Sequence, residues 1–126
     1  MNIFRFEKLD VWKLSQEFSV DICRLSLKFP QYEIYALGNQ MRRAAMSVPS
    51  NIAEGTSRFS TREQIHFIEI AYSSLMEVIT QLFAARDLNY IEATDTTELL
   101  EKAHRIAAML SSLRKSFLQK LESNKE

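Results

Sequence analysis

The sequence predicts an all-α protein, an antiparallel up-down-up-down four-helix bundle with a proline inside its second helix. Three observations carry that expectation. Only 2 Gly and 2 Pro occur in 126 residues, too few to turn a many-stranded sheet. Apolar residues recur at spacings of three and four through four long stretches. The stretches are separated by short polar segments, and short connections force neighbouring helices to run antiparallel. A single domain over residues 1–126 is expected, with helices at roughly 10–28, 33–54, 61–88 and 95–121.

In the first helix, Val11, Leu14, Phe18, Ile22, Leu25 and Phe29 keep helical spacing from Asp10 to Lys28, and Pro30 stops the run. A second apolar line, Leu9, Trp12, Val20, Cys23 and Leu27, lies on nearly the opposite side. A helix apolar on two sides needs two partners, either a wider contact within the monomer or a second subunit.

The second helix contains the most unusual run in the chain, Gln40 to Gly55. Leu37, Met41, Ala44, Ala45, Val48 and Ile52 share one face at about 100° per residue. Pro49 falls within this run, removes one N–H and crowds the carbonyl of Ala45, at a cost of about 3 kcal/mol in a regular helix. Tyr32 to Leu37 reads as an initial turn, Gly38-Asn39 as an interruption or a tolerated weak point, and Gly55 as a left-handed residue after Glu54. Arg43, Ser47, Ser50 and Glu54 line up opposite the core face, with Gln40 and Asn51 at its margin. Asn51 and Glu54 are read as structural polar residues, the amide satisfying backbone near the proline and the carboxylate forming local ion pairs. Arg42, Met46, Pro49 and Ala53 make a third, partly apolar side suited to another subunit.

Ser60-Thr61-Arg62-Glu63 matches a capping box and starts the third helix. Ile65, Ile68, Tyr72, Leu75, Ile79, Leu82 and Phe83 form its core face as far as Leu88, where Asn89 suits a left-handed stop. Phe67, Ile70 and Ala71 spill onto another side and point to association. Thr94 or Asp95 is expected to cap the fourth helix, whose core line is Leu99, Ala103, Ile106, Leu110, Leu113, Phe117 and Leu121.

Sixteen basic and sixteen acidic residues cancel, so no global field draws the monomer to a polyanion, and any such site is local. Arg58 and Arg62 bracket the start of the third helix, and Arg42 and Arg43 add charge on the second. These four are the nucleic-acid candidates, against the plainer reading of dispersed arginines balanced by Glu54 and Glu63. Repetition in a ring would multiply even a weak patch. The lone Cys23 fits a reducing compartment, and the charged Met1 to Asp10 segment lacks a secretory core. A cytoplasmic protein without a membrane partner is expected.

Two Glu-x-x-His strings, Glu63 to His66 and Glu101 to His104, raise the possibility of a metal site in the bundle. Helical phase turns both pairs away from the core, and their levels in a hairpin differ by about 20 Å. Cys23 has no nearby histidine in sequence, and neither a phosphate loop nor a dinucleotide fingerprint is present. The expectation is therefore no enzyme, no metal and no cofactor.

The Gln40–Gly55 run closely resembles the signature of the four-helix-bundle proteins encoded in intervening sequences of 23S ribosomal RNA genes, also labelled S23 ribosomal proteins. The resemblance extends to Leu9-Asp10-Val11-Trp12, Phe29-Pro30, Ala71-Tyr72-Ser73-Ser74-Leu75-Met76-Glu77 and Leu88-Asn89-Tyr90-Ile91. It implies an antiparallel bundle, a ring-shaped homopentamer and no catalytic residues. The chain is also similar to the accessory variability protein of diversity-generating retroelements, which works with a reverse transcriptase and nucleic acid. Two functions follow as expectations. One is a homo-oligomer that binds RNA or a nucleic-acid-processing protein through its arginines, and the other is a protein-interaction scaffold. Trp12, Val20, Cys23, Leu27, Met46, Phe67 and Ile70 are the oligomer-interface candidates.

Overall fold

The computed structural model describes residues 3–124. A short 3-10 helix at Arg5–Lys8 leads into α1 (Asp10–Ser26), and a single helical turn, α2 (Gln31–Ile34), precedes α3 (Leu37–Thr56). The two longest helices, α4 (Thr61–Asp87) and α5 (Ala93–Ser123), follow. Among the described residues there is no strand.

Side-chain pairs give the direction of packing. Across α3 and α4, Ser47 meets Ser74, while Gly55, further along α3, lies against Phe67, further back on α4. Those helices are antiparallel, as the short Ser57–Ser60 turn requires. Glu69 reaches Arg114 between α4 and α5, and Lys102 of α5 reaches Glu17 and Asp21 of α1, which closes the four long helices into a bundle. The α3–α4 seam is the most extensive and the α1–α5 seam the thinnest.

Phe18, Ile22, Met41, Val48, Ile52, Ile68, Leu75, Leu82, Ile106 and Leu110 are fully buried at the centre. Each contributes about 1.5–3 kcal/mol by leaving water, which is the main source of stability. The face expected for α3 is the one buried. Ser15, Ser19 and Ser26 are buried with it. Their hydroxyls donate to the carbonyls of Trp12, Gln16 and Cys23 at 2.9, 2.9 and 2.8 Å, so each is satisfied within α1 and packs as a small residue against α3.

Several sequence expectations are corrected. The first helix ends at Ser26 rather than Lys28, because Leu27, Lys28 and Phe29 tighten into turns bonded to Arg24, Leu25 and Ser26 before Pro30. The second is broken at Ala36 (φ −108°, ψ −97°), so α2 stands apart from α3. Gly55 is not left-handed: α3 continues through it to Thr56. A Cβ there would lie 3.0 Å from the Phe67 Cβ and 3.2 Å from the Gln64 carbonyl, so glycine serves the close approach of α4. Asn89 does adopt the expected left-handed conformation, with φ 61°. At the start of α5 the N-cap is Glu92, and neither Thr94 nor Asp95 caps it; Thr96 and Thr97 instead bond back to the Glu92 and Ala93 carbonyls.

On α4 the buried arc is rotated toward α3. Ala71 and Val78 are fully buried, whereas Tyr72 and Phe83, expected in the core, stand 38% and 39% exposed at the margin facing α5. By length and composition α4 would reach across a bilayer, with mean hydropathy 1.2 over its most apolar stretch. In the bundle its line from Ile65 to Ala85 packs against α3 and α5. Pro49, expected on an outward side, lies inside α3 and is buried.

Candidate functional site

The four candidate arginines separate into two kinds. Arg42 is turned inward. Its Nη1 donates to Ser26 Oγ at 2.8 Å and its Nη2 to the Ile34 carbonyl at 2.9 Å, so one guanidinium ties α1, α2 and α3 together. This arrangement corrects the reading of Arg42 as a free phosphate ligand. Arg58 pairs with Glu54, approaches Glu63 at 3.9 Å and lies 4.7 Å above the Phe67 ring. Arg43 and Arg62 are exposed, and among the described residues neither forms an ion pair. The free positive charge expected of the cluster therefore reduces to two side chains.

The turn between α3 and α4 is built locally. Ser60 Oγ accepts from the Glu63 N–H at 3.4 Å, as the capping-box pattern predicts. Gln64 is buried and its Nε2 donates to the Arg58 carbonyl at 3.0 Å, fixing the turn from behind. Its Oε1 has no partner among the described residues. Nothing in the sequence pattern marked Gln64, because a glutamine one turn into a helix usually faces water.

Asn51 Nδ2 donates to the Ser47 carbonyl and to Ser47 Oγ at 2.8 and 2.9 Å. The carbonyl that Pro49 leaves without its helical donor is that of Ala45, so the amide acts near the proline but not on the orphaned group. Ser47 also shares a 2.8 Å hydrogen bond with Ser74, giving the α3–α4 seam a polar spine.

Of the interface candidates, Trp12, Val20 and Cys23 are half-buried, and Leu27 and Met46 are 64% and 46% exposed. The Ser26–Arg42 bond marks the side of α1 that faces α3. At 100° per residue these five residues then occupy the outward side of the α1–α3 seam. Phe67 and Ile70, both half-buried, belong to the other seam, where Gly55 and Arg58 already cover Phe67. The seven candidates are thus two groups on different faces.

Away from these surfaces, Lys102 Nζ sits between Glu17 and Asp21, 2.8 Å from each. Hydrogen bonds to Asp21 first and Glu17 second raise its affinity for the proton. It borders a cleft of about 340 Å³ between α1 and α5, where Arg24 and Lys28 face Asp95 and Glu98 above Leu25 and Leu99. The charges there are balanced. Glu63, His66, Glu101 and His104 are all exposed, and no group of three or more His, Cys, Asp or Glu among the described residues is placed to hold a metal ion.

At the end of the bundle formed by α2 and the Leu88–Glu92 connection, Tyr90 donates to Glu33 Oε2 at 3.0 Å. Its ring packs 5.6 Å from Phe29 and 6.5 Å from Tyr32. The Tyr32 hydroxyl, then desolvation, then the Glu33 carboxylate hold the Tyr90 phenol above its ordinary pKa. Arg42 fastens the same end. Residues that carried the sequence resemblance, Phe29-Pro30, Arg42 and Leu88 to Ile91, meet here.

The family model described as 23S rRNA-intervening sequence protein matches residues 7–112. The chain belongs to that family. A solved protein of unknown function from the S23 ribosomal protein family of Bacteroides thetaiotaomicron shares the fold, with a TM-score of 0.76 at 23% identity over 83% of this chain and 95% of that one. No curated protein matches the chain. In this member of the 23S rRNA-intervening sequence proteins, α5 continues unbroken past the matched region to Ser123.

Proposed function

We propose that this protein acts without catalysis, as a self-associating bundle that binds RNA through repeated copies of a weak cationic site. The observation that carries this reading is an uncovered apolar face on a neutral chain that keeps free arginines. Trp12, Val20, Cys23, Leu27 and Met46 line the α1–α3 exterior, and Arg43 and Arg62 have no acidic partner among the described residues. Apolar side chains grouped on one surface favour protein contact. Two cations per subunit bind a polyanion weakly, and repetition in one assembly raises the effective concentration of the next contact. The ring-shaped homopentamer implied by the family resemblance is the assembly proposed.

Light scattering tests the first step. The expected mass is about five times the 14.7 kDa chain, and Val20→Glu with Met46→Glu should reduce it to the monomer. A wild-type monomer at micromolar concentration refutes self-association. Arg43→Ala with Arg62→Ala should weaken RNA binding and lower its salt dependence. The engagement of Arg42 and Arg58 supports a second reading, a protein-interaction scaffold. Absence of RNA binding at low salt by the wild-type assembly would favour that scaffold.

A further inference from the structure

The end of the bundle opposite Tyr90 carries exposed aromatic rings among free cations. It is formed by the Arg5–Lys8 helix, which packs on α1 and α3, together with the Ser57–Ser60 turn and the start of α4. Phe59, at the tip of the turn, is fully exposed, and Phe4 is 60% exposed. Both are held on structured supports. The Phe4 ring lies 5.8 Å from Phe6 with 5° between their planes, and Phe6 lies 4.9 Å from Trp12. Phe4 is thus the open outer face of a column of three rings. Behind Phe59, the Ser60 cap and the Gln64–Arg58 hydrogen bond fix the turn.

Basic and acidic residues are both present at this end, but they differ in how they are engaged. Three carboxylates are engaged, since Glu7 accepts from the Ile3 and Phe4 N–H groups, Glu54 pairs with Arg58, and Glu63 lies 3.9 Å from Arg58, while Asp10 is exposed at the start of α1. Arg5, Lys8 and Arg62 are exposed, and none forms an ion pair among the described residues. Cations outside any ion pair among the described residues therefore lie close in sequence to uncovered rings.

We infer that this end of the bundle binds unpaired RNA, with bases stacked on Phe4 and Phe59 and phosphates held by Arg5, Lys8 and Arg62. The inference rests on the RNA-binding reading above and specifies the form of RNA. Duplex binding depends on neutralising many closely spaced phosphates, which three free cations on a neutral chain do poorly. Stacking on an aromatic ring requires no net charge and accepts any base, but only a strand whose bases are not already paired presents those faces.

The test uses the full chain in its native assembly state at low salt. A labelled RNA of about twelve nucleotides is titrated as a single strand and, separately, annealed to its complement. The single strand should bind at least about tenfold more tightly. Phe4→Ala with Phe59→Ala should weaken it about tenfold or more, in line with the loss of base stacking, without changing the unfolding midpoint. Phe59→Trp should add a second tryptophan to Trp12, and the single strand should quench the emission of the variant more than that of wild type. Equal binding of duplex and single strand, or unchanged affinity after loss of both rings, overturns this inference while leaving RNA binding intact. Failure of wild type to bind any RNA overturns the underlying reading as well. Quenching of Phe59→Trp by phosphatidylserine vesicles but not by RNA would overturn the inference in favour of a membrane surface.

Discussion

The two ends of the bundle use similar residue types in opposite ways. At the end built from α2 and the Leu88–Glu92 connection, the arginine and two aromatic rings, Phe29 and Tyr90, are engaged with their neighbours, although Tyr32 and Tyr35 stand exposed beside them. Arg42 holds Ser26 and Ile34, Tyr90 holds Glu33, and Phe29 is 3% exposed. At the other end, Phe4, Phe59, Arg5 and Arg62 point to water. Leu9 to Trp12 and Gly55 of the family signature lie toward the open end, but Phe29-Pro30, Arg42 and Leu88 to Ile91 meet at the engaged end. There they hold a connection that would otherwise leave polar backbone open, a structural role. The binding proposed for this protein uses side chains that the fold itself does not.

That contrast can be broken most directly with one phenylalanine from each end. Phe29→Ala should cost about 3–5 kcal/mol in urea unfolding, the usual loss for a buried ring, whereas Phe59→Ala should stay within about 0.5 kcal/mol. Similar costs for the two would abolish the distinction. Arg42→Ala should cost about 1.5–3 kcal/mol, because two charge-assisted hydrogen bonds are lost and the Ile34 carbonyl gives up its guanidinium donor. Arg42→Lys should recover only part of that, since an ammonium does not span both acceptors as a guanidinium fork does. Gly55→Ala should cost about 1–2 kcal/mol by forcing α4 away at Phe67, with the loss appearing in thermal unfolding.

The smallest effect concerns pH. The Tyr90 phenol holds its proton more tightly in the folded state than in the unfolded chain, so its contribution is full below the unfolded value of about 10. That contribution is lost as pH rises through the higher folded value. Wild type should therefore lose stability above about pH 10 more steeply than Tyr90→Phe, as read by urea midpoints across alkaline pH. Identical slopes would show that the Tyr90–Glu33 contact does not tie down this end.

Much of the architecture was legible because helical phase and caps are local. Met41, Val48 and Ile52 had to share a face, Ser60 with Glu63 had to open a helix, and Asn89 suited a left-handed stop. The errors arose where a residue's role depends on a distant neighbour. Gly55 looked like a terminator because the nearness of Phe67 is invisible in sequence, and Arg42 looked free because Ser26 and Ile34 lie on other elements. Tyr72 fitted the apolar period of α4, but the side facing α5 is less fully covered. Among the candidate residues, Arg58 was singled out for nucleic acid, whereas its contacts with Glu54 and Glu63 match the plainer alternative of balanced arginines. Phe59 was passed over, since a lone phenylalanine in a polar turn has no periodicity.

The buried serines of α1 have a mechanical consequence. Ser15, Ser19 and Ser26 turn their hydroxyls onto their own helix, so most of the surface that α1 offers to α3 there is small and smooth. A smooth seam resists separation better than it resists sliding, because few side chains interlock along its length. The Arg42–Ser26 bond is the key that keeps such a slide in one register, and a shift of one helical turn, about 5.4 Å, would pull it apart.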